Sequence, residues 1–331
     1  MRHALTVDAA IRARKTTRVA ALSVASNTLL VVLKLIVGIM IGSVAVISEA
    51  VHSGMDLIAA LIAYFAVRTA AVPADEEHPY GHGKAENISG VIEALLIFGA
   101  AAYIIWEAVR KLSGDHEVEM LGWGVGVMAV SAVVNVVISE ILFRTARETD
   151  SIALEADAWH LRTDVYTSLG VLAALGFIWA TEHYLPVLHY HWMDPVAAIG
   201  VALLIVHAAW HLTISAARDL MDVSLPEEEE RKIRSALREH APEVCGFHQL
   251  RTRKAGSQRF VDVHVLVEPR MTVARAHDVA EAVEAGIKGR LARTAVVVHI
   301  EPCNSGSCGR CGPNCLIEYP AEFAGQAKAA T

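Results

Sequence analysis

Six stretches of this 331-residue chain are apolar over the lengths a lipid bilayer demands, near 19–41, 45–69, 88–110, 120–143, 152–180 and 195–218. A helix crosses the hydrocarbon core in roughly 20 mostly apolar residues. Hydrophobic residues make up 54% of the chain, too large a share for an ordinary soluble globule. An α-helical membrane domain over 19–221 is therefore predicted, behind a basic leader over 1–18. The leader is polar over too long a stretch for a secretory signal. A net charge of −7 argues against a nucleic-acid partner, which would need a basic patch facing phosphate. The partner implied is lipid.

Orientation follows from lysine and arginine in the short connections. Arg2, Arg12, Arg14, Lys15 and Arg18 precede the first span, Arg68 and Lys84 follow the second, and Arg144 and Arg147 follow the fourth. Only Arg110 and Lys111 oppose them between the third and fourth spans. Both termini are thus expected in the cytoplasm, with the spans in the cell (inner) membrane.

Past Leu220 the pattern changes. "LPEEEERKIRSALREH" places Pro226 and four glutamates at a helix start, where the helix dipole favours them. "RFVDVHVLVE" alternates, with Val261, Val263, Val265 and Val267 on one face. A helical stretch and a last strand, "TAVVVHIEP", follow. Helix–strand–strand–helix–strand predicts a small α+β domain over 222–302. Residues 303–331 have little periodicity.

The chemistry lies in charges set inside greasy runs. "SEAVHSGMD" carries His52 and Asp56 in the second span, and "ADAWHLRTD" carries His160 and Asp164 in the fifth. Positions four apart share a helix face. If the two faces meet, two imidazoles and two carboxylates converge, a set suited to tetrahedral Zn²⁺. The plain alternative is a local hydrogen bond within each pair. Two copies on different spans, each costly in hydrocarbon, favour a metal site. Asp157 lies one turn before His160, Arg162 points away from it, and Glu49 has no assigned role.

Together with "HPYGHGKAEN" between the second and third spans, these motifs resemble the cation diffusion facilitator family. The resemblance covers nearly the whole chain except the cysteine tail. It implies six spans with a ferredoxin-like cytoplasmic domain, a homodimer, and export of divalent metal, usually Zn²⁺, in exchange for protons. It also implies that His52, Asp56, His160 and Asp164 form the transport site. Members differ at the first of these positions, and histidine there goes with zinc preference over cadmium. Protons as counter-ion have a direct reason: metal and protons compete for the same imidazole and carboxylate atoms.

Asp75, His78 and His82 are spaced to hold one ion on a loop, and the resemblance implies a metal site there. Their alternative is an acidic, solvated turn. By the same resemblance Lys84 pairs with an acidic residue at the start of the second domain, with Asp222 the candidate, bracing the dimer. In that domain His264, and His299 with Glu301, lie opposite the apolar strand face. His248 and His277 fill the family's remaining ligand positions, implying a zinc cluster at the interface of two cytoplasmic domains. Glu301 stands where other members carry aspartate. Outside the family pattern, Cys303, Cys308, Cys311 and Cys315 could hold Zn²⁺ or an iron–sulfur cluster. Loop residues His183, His189 and His191 are placed on the outer side.

The function expected is a zinc/proton antiporter moving Zn²⁺ out of the cytoplasm by alternating access. An exporter of iron, manganese, cobalt or nickel is the alternative, since imidazole suits several of these ions. A membrane-anchored metal sensor without flux is a further one. An intramembrane metalloenzyme would need a general base beside an open metal position, as in His-Glu-x-x-His, and neither pair supplies one.

Overall fold

The computed structural model describes residues 2–41, 44–112, 122–166, 169, 193–241, 243–303 and 315–316. Two compact units divide at Leu220 and Met221. In the first, helices run Arg2–Ile41 (α1), Val44–Ala70 (α2), Lys84–Leu112 (α3) and Gly122–Thr149 (α4). A helix over 152–166 (α5) and Met193–Leu220 (α6) complete it. Five of these are long and apolar enough to cross a bilayer. The described part of α5 supplies the sixth element, and the rest of its expected span lies outside the described residues.

The expected leader is not a separate element but the first turns of α1. No proline or glycine occurs between Arg2 and Val37, and alanine and arginine are strong helix formers, so nothing breaks the helix. The buried face of α1 is a stripe spaced alternately four and three apart: Thr16, Ala20, Ser23, Asn27, Leu30 and Lys34. Its outer face is Leu22, Leu29, Val32, Ile36 and Ile39. Polar residues face inward and apolar ones outward, as a lipid solvent requires.

Small residues let these helices approach closely. Ala94, Ala101, Ala156 and Ala209 from α3, α5 and α6 share one core. A side chain at Gly90 would stand 2.9 Å from Ile152 Cγ2 and 3.4 Å from Ala216 Cβ, so only glycine fits that crossing. Ser151 begins α5 by accepting the backbone N–H of Leu154 at 3.4 Å, and its hydroxyl donates to Glu86 on α3 at 2.6 Å. These bonds fix the face that α5 presents to the bundle.

The second unit follows the expected order: Glu227–Arg238 (α7), Gly246–Ala255 (β1), Gln258–Val267 (β2), Val273–Arg290 (α8) and Thr294–Pro302 (β3). The sheet runs β1–β2–β3, antiparallel then parallel. The alternating valines Val261, Val263, Val265 and Val267 pack against Ile233 and Leu237 of α7 and Val279, Val283 and Ile287 of α8. Both helices thus cover one face and leave the other to polar residues. Among the described residues of the tail, Cys315 bridges Gly246, and the Leu316 N–H donates to the Cys245 carbonyl at 2.9 Å.

Candidate metal centres

α2 and α5 bring the paired motifs together. Potential ligand atoms of His52, Asp56 and Asp164 all lie within 4.8 Å of one another. His160 Nε2 stands 3.1 Å from Asp56 Oδ1, and His52 Nε2 3.9 Å from Asp164 Oδ1. Each histidine thus pairs with the aspartate of the other helix, in a cluster that also holds His52 and Asp56 close together. Asp56 and His160 are buried, whereas the His52 side chain is 53% exposed. The four side chains thus form a buried core with one open imidazole. Arg162 is directed elsewhere, donating to Glu140 at 3.1 Å and lying over the Phe143 ring.

Behind this quartet lie Asp157, noted in the sequence one turn before His160, and further polar groups that sequence reasoning passed over. Asp157 and Glu93 are fully buried, and neither oxygen of Asp157 makes a hydrogen bond among the described residues. Lys34 and Asn27 are buried on α1. The signal available was polar residues recurring at helical spacing within an apolar span. The side chain of Glu49 lies outside those described, as do His183, His189 and His191.

The loop trio also converges within 4.8 Å. Asp75 Oδ1 accepts the His78 N–H at 2.6 Å, and Asp75 Oδ2 lies 3.4 Å from His82 Nε2. The His78 backbone N–H, with both imidazoles nearby, holds the Asp75 carboxyl below its usual range. Lys84, at the start of α3, donates to the Leu220 carbonyl at 3.5 Å. Asp222 lies 3.4 Å from Arg253.

In the second unit the sheet register sets His248, His264 and His299 side by side across three strands. Glu301 accepts from two of them, with His264 Nδ1 at 2.7 Å and His248 Nε2 at 3.2 Å. The bond to His264, then that to His248, keeps its carboxyl below the usual glutamate value. His248, His264 and Glu301 have ligand atoms within 4.8 Å of one another. His299 Nε2 is 3.8 Å from Glu301 Oε1 and largely exposed.

His277 stands apart from the other histidines. It sits on α8, 71% exposed and 3.5 Å from Glu281, and does not join the cluster within one chain. The reason is the layering: α8 packs on the valine face, and the cluster occupies the opposite face. Of the expected thiol site, Cys308 and Cys311 lie outside the described residues. Cys303 and Cys315 instead pack around Cys245 and Leu266, so the fifth cysteine, left out of the expected set, is the one at their centre.

Comparison with known proteins agrees with this division. Residues 20–221 match the cation efflux transmembrane domain, and residues 225–303 the cation efflux protein cytoplasmic domain. A transporter of Synechocystis sp., sll1263, is 38% identical over 261 residues, 79% of this chain and 82% of that one. The cation-efflux pump FieF of Salmonella schwarzengrund is 30% identical over 291 residues, 88% of this chain and 94% of that one. Among solved structures, a MamM-CTD variant is 33% identical, covering 24% of this chain and 98% of that one, with a TM-score of 0.22. With both domains matched in order and paired histidines and aspartates meeting between two spans, the chain belongs to the cation diffusion facilitator family, the exporters of divalent metal cations.

Proposed function

We propose that the chain is a zinc/proton antiporter of the inner membrane that carries Zn²⁺ out of the cytoplasm, with both termini on the cytoplasmic side. The observation that carries this reading is the crossed pairing of His52 with Asp164 and of His160 with Asp56. Two nitrogens and two carboxylate oxygens suit a tetrahedral borderline-soft ion better than an octahedral hard one. Because the ligands sit on two helices, relative motion of α2 and α5 can assemble or dismantle the site. Protonation of the same atoms releases the ion, which couples metal to protons in opposite directions.

In this reading the cytoplasmic unit binds resident zinc through His248, His264, His299 and Glu301. His277 reaches a cluster only from a second copy, consistent with a homodimer. Asp75, His78 and His82 receive a further ion near the membrane surface, and Lys84 with Asp222 braces the dimer. The thiols of Cys303, Cys308, Cys311 and Cys315 capture cytosolic zinc for it.

The test is metal-triggered proton movement in proteoliposomes of wild type and Asp164→Ala. Zn²⁺, Cd²⁺, Mn²⁺, Fe²⁺, Co²⁺ and Ni²⁺ are supplied in turn. Zinc-dependent flux that vanishes in the variant is expected. Flux driven best by another ion replaces the substrate and keeps the carrier. No flux with any ion, in protein that binds metal, leaves a sensor.

A further inference from the structure

The outward face of α6 carries two histidines. Ala202, Ile205, Ala209, Leu212 and Ala216 form the buried face of this helix. His207 and His211 lie about 160° around it and are exposed, flanked by the exposed Leu203, Leu204, Trp210 and Ile214. Both sit well inside the apolar span Ala198–Leu220. Their rings meet at 4.8 Å between centroids, with 77° between planes. Among the described residues neither ring has a hydrogen-bond or ion-pair partner. An imidazole turned toward hydrocarbon leaves its N–H and its lone pair unsatisfied, which is costly.

Histidines four apart on one helix face make a two-nitrogen clip for a borderline divalent ion. Four-coordinate Zn²⁺ needs two more ligands, and among the described residues no third His, Cys, Asp or Glu joins the pair. A second copy across a two-fold axis presents the same patch, so it brings two further imidazoles. Gly200 lies two turns before His207 on the same face, with open space where a Cβ would stand, which lets another helix come close. Only residues 221–224 separate the end of α6 from the cytoplasmic domain at 225–303, so two paired domains tether two α6 helices.

We infer that His207 and His211 of two copies form a four-imidazole site for a resident Zn²⁺ that clamps the dimer within the membrane. The inference rests on the homodimer proposed above. This ion is not cargo. Its ligands lie on the outward face of α6, whereas the transport quartet is shared between α2 and α5. A clamp at α6 joins two copies and leaves α2 and α5 free to move.

The test compares the full chain as wild type, as the double variant His207→Leu with His211→Leu, and as the double variant His207→Gln with His211→Gln. Dimer dissociation in detergent micelles and Zn²⁺ bound per chain at equilibrium dialysis are read for each. Leucine suits lipid and glutamine keeps polarity, so one variant stands in if the other fails to insert. With Zn²⁺ at about a hundred times the Kd of the site, linkage predicts a wild-type dimer tighter than either variant on the order of 100-fold. With chelator, wild type and variants are expected to dissociate alike. The variants are expected to lack about one Zn²⁺ per two chains. Equal dimer strength in Zn²⁺ overturns the inference. Weakening of the same size with Zn²⁺ and with chelator overturns it in favour of packing alone. Loss of about one Zn²⁺ from every chain overturns it in favour of a clip within one copy. Wild type that stays monomeric under both conditions overturns the homodimer reading itself, a result distinct from these.

Discussion

The intramembrane and cytoplasmic clusters use the same side chains on opposite kinds of scaffold. In the first, ligands come in i,i+4 pairs from two helices with no backbone hydrogen bonds between them, so the quartet exists only while α2 and α5 hold one relative position. In the second, His248, His264 and His299 are locked across three strands whose register cannot slip without turning every side chain to the other face. A site divided between movable helices suits an ion that must leave. A site fixed within one sheet suits an ion that stays.

That contrast predicts unequal losses. Asp56→Ala should lower metal flux by at least ~100-fold, more than loss of a supporting partner costs a metal site. Metal bound by the cytoplasmic unit should be unchanged, as equilibrium dialysis would check. If that binding also disappeared, the two clusters would not be independent. Glu301→Gln reverses the pattern: cytoplasmic affinity should drop roughly 10- to 100-fold while flux at saturating metal persists. Flux abolished in this variant would erase the distinction between cargo and resident ion.

Acidification sharpens the comparison further. Protons and metal compete for the same ligand atoms, so metal should leave the cytoplasmic cluster as pH falls. Without metal, Glu301 contributes separately. Its folded-state carboxyl is held down by the two histidines, so its stabilisation is complete above the usual glutamate value. That contribution is lost as pH falls through the lower, folded value. Thermal unfolding against pH should show a shallower acid limb in Glu301→Gln than in wild type. The smallest effect is expected at the exposed loop. Asp75→Asn should change flux by less than about threefold, because an ion held near solvent draws little strength from one carboxylate.

Much of this architecture was legible before the coordinates. Apolar length located the spans, and alternation in "RFVDVHVLVE" sorted four valines from His264 correctly. The i,i+4 rule found His52 with Asp56 and His160 with Asp164, though not that each histidine would meet the other helix's aspartate. That exchange depends on the rotation of α2 against α5, which no local pattern records. Lys34 and Glu93 escaped because single polar residues in an apolar run disturb hydropathy too little to register. Their buried placement comes from tertiary packing, Lys34 against Ser53 of α2. His277 was grouped with the cluster by resemblance, at an interface of two domains, and within one chain it lies on the α8 side of the sheet. Cys245 was overlooked because a tail that folds back onto β1 has no signature in cysteine spacing.

The unbroken run of α1 has a mechanical consequence. Forty residues of helix extend ~60 Å, about twice the hydrocarbon thickness of ~30 Å. The part near Lys34 and the part near Arg12 therefore form one rod, with ion pairing between Lys15 and Glu148 near its outer portion. A tilt of ~10° at the level of Ser53 would carry the far end of a ~30 Å arm by ~5 Å. Small displacements deep in the bilayer become large ones at its surface, where a distance probe on α1 could read the carrier's state directly.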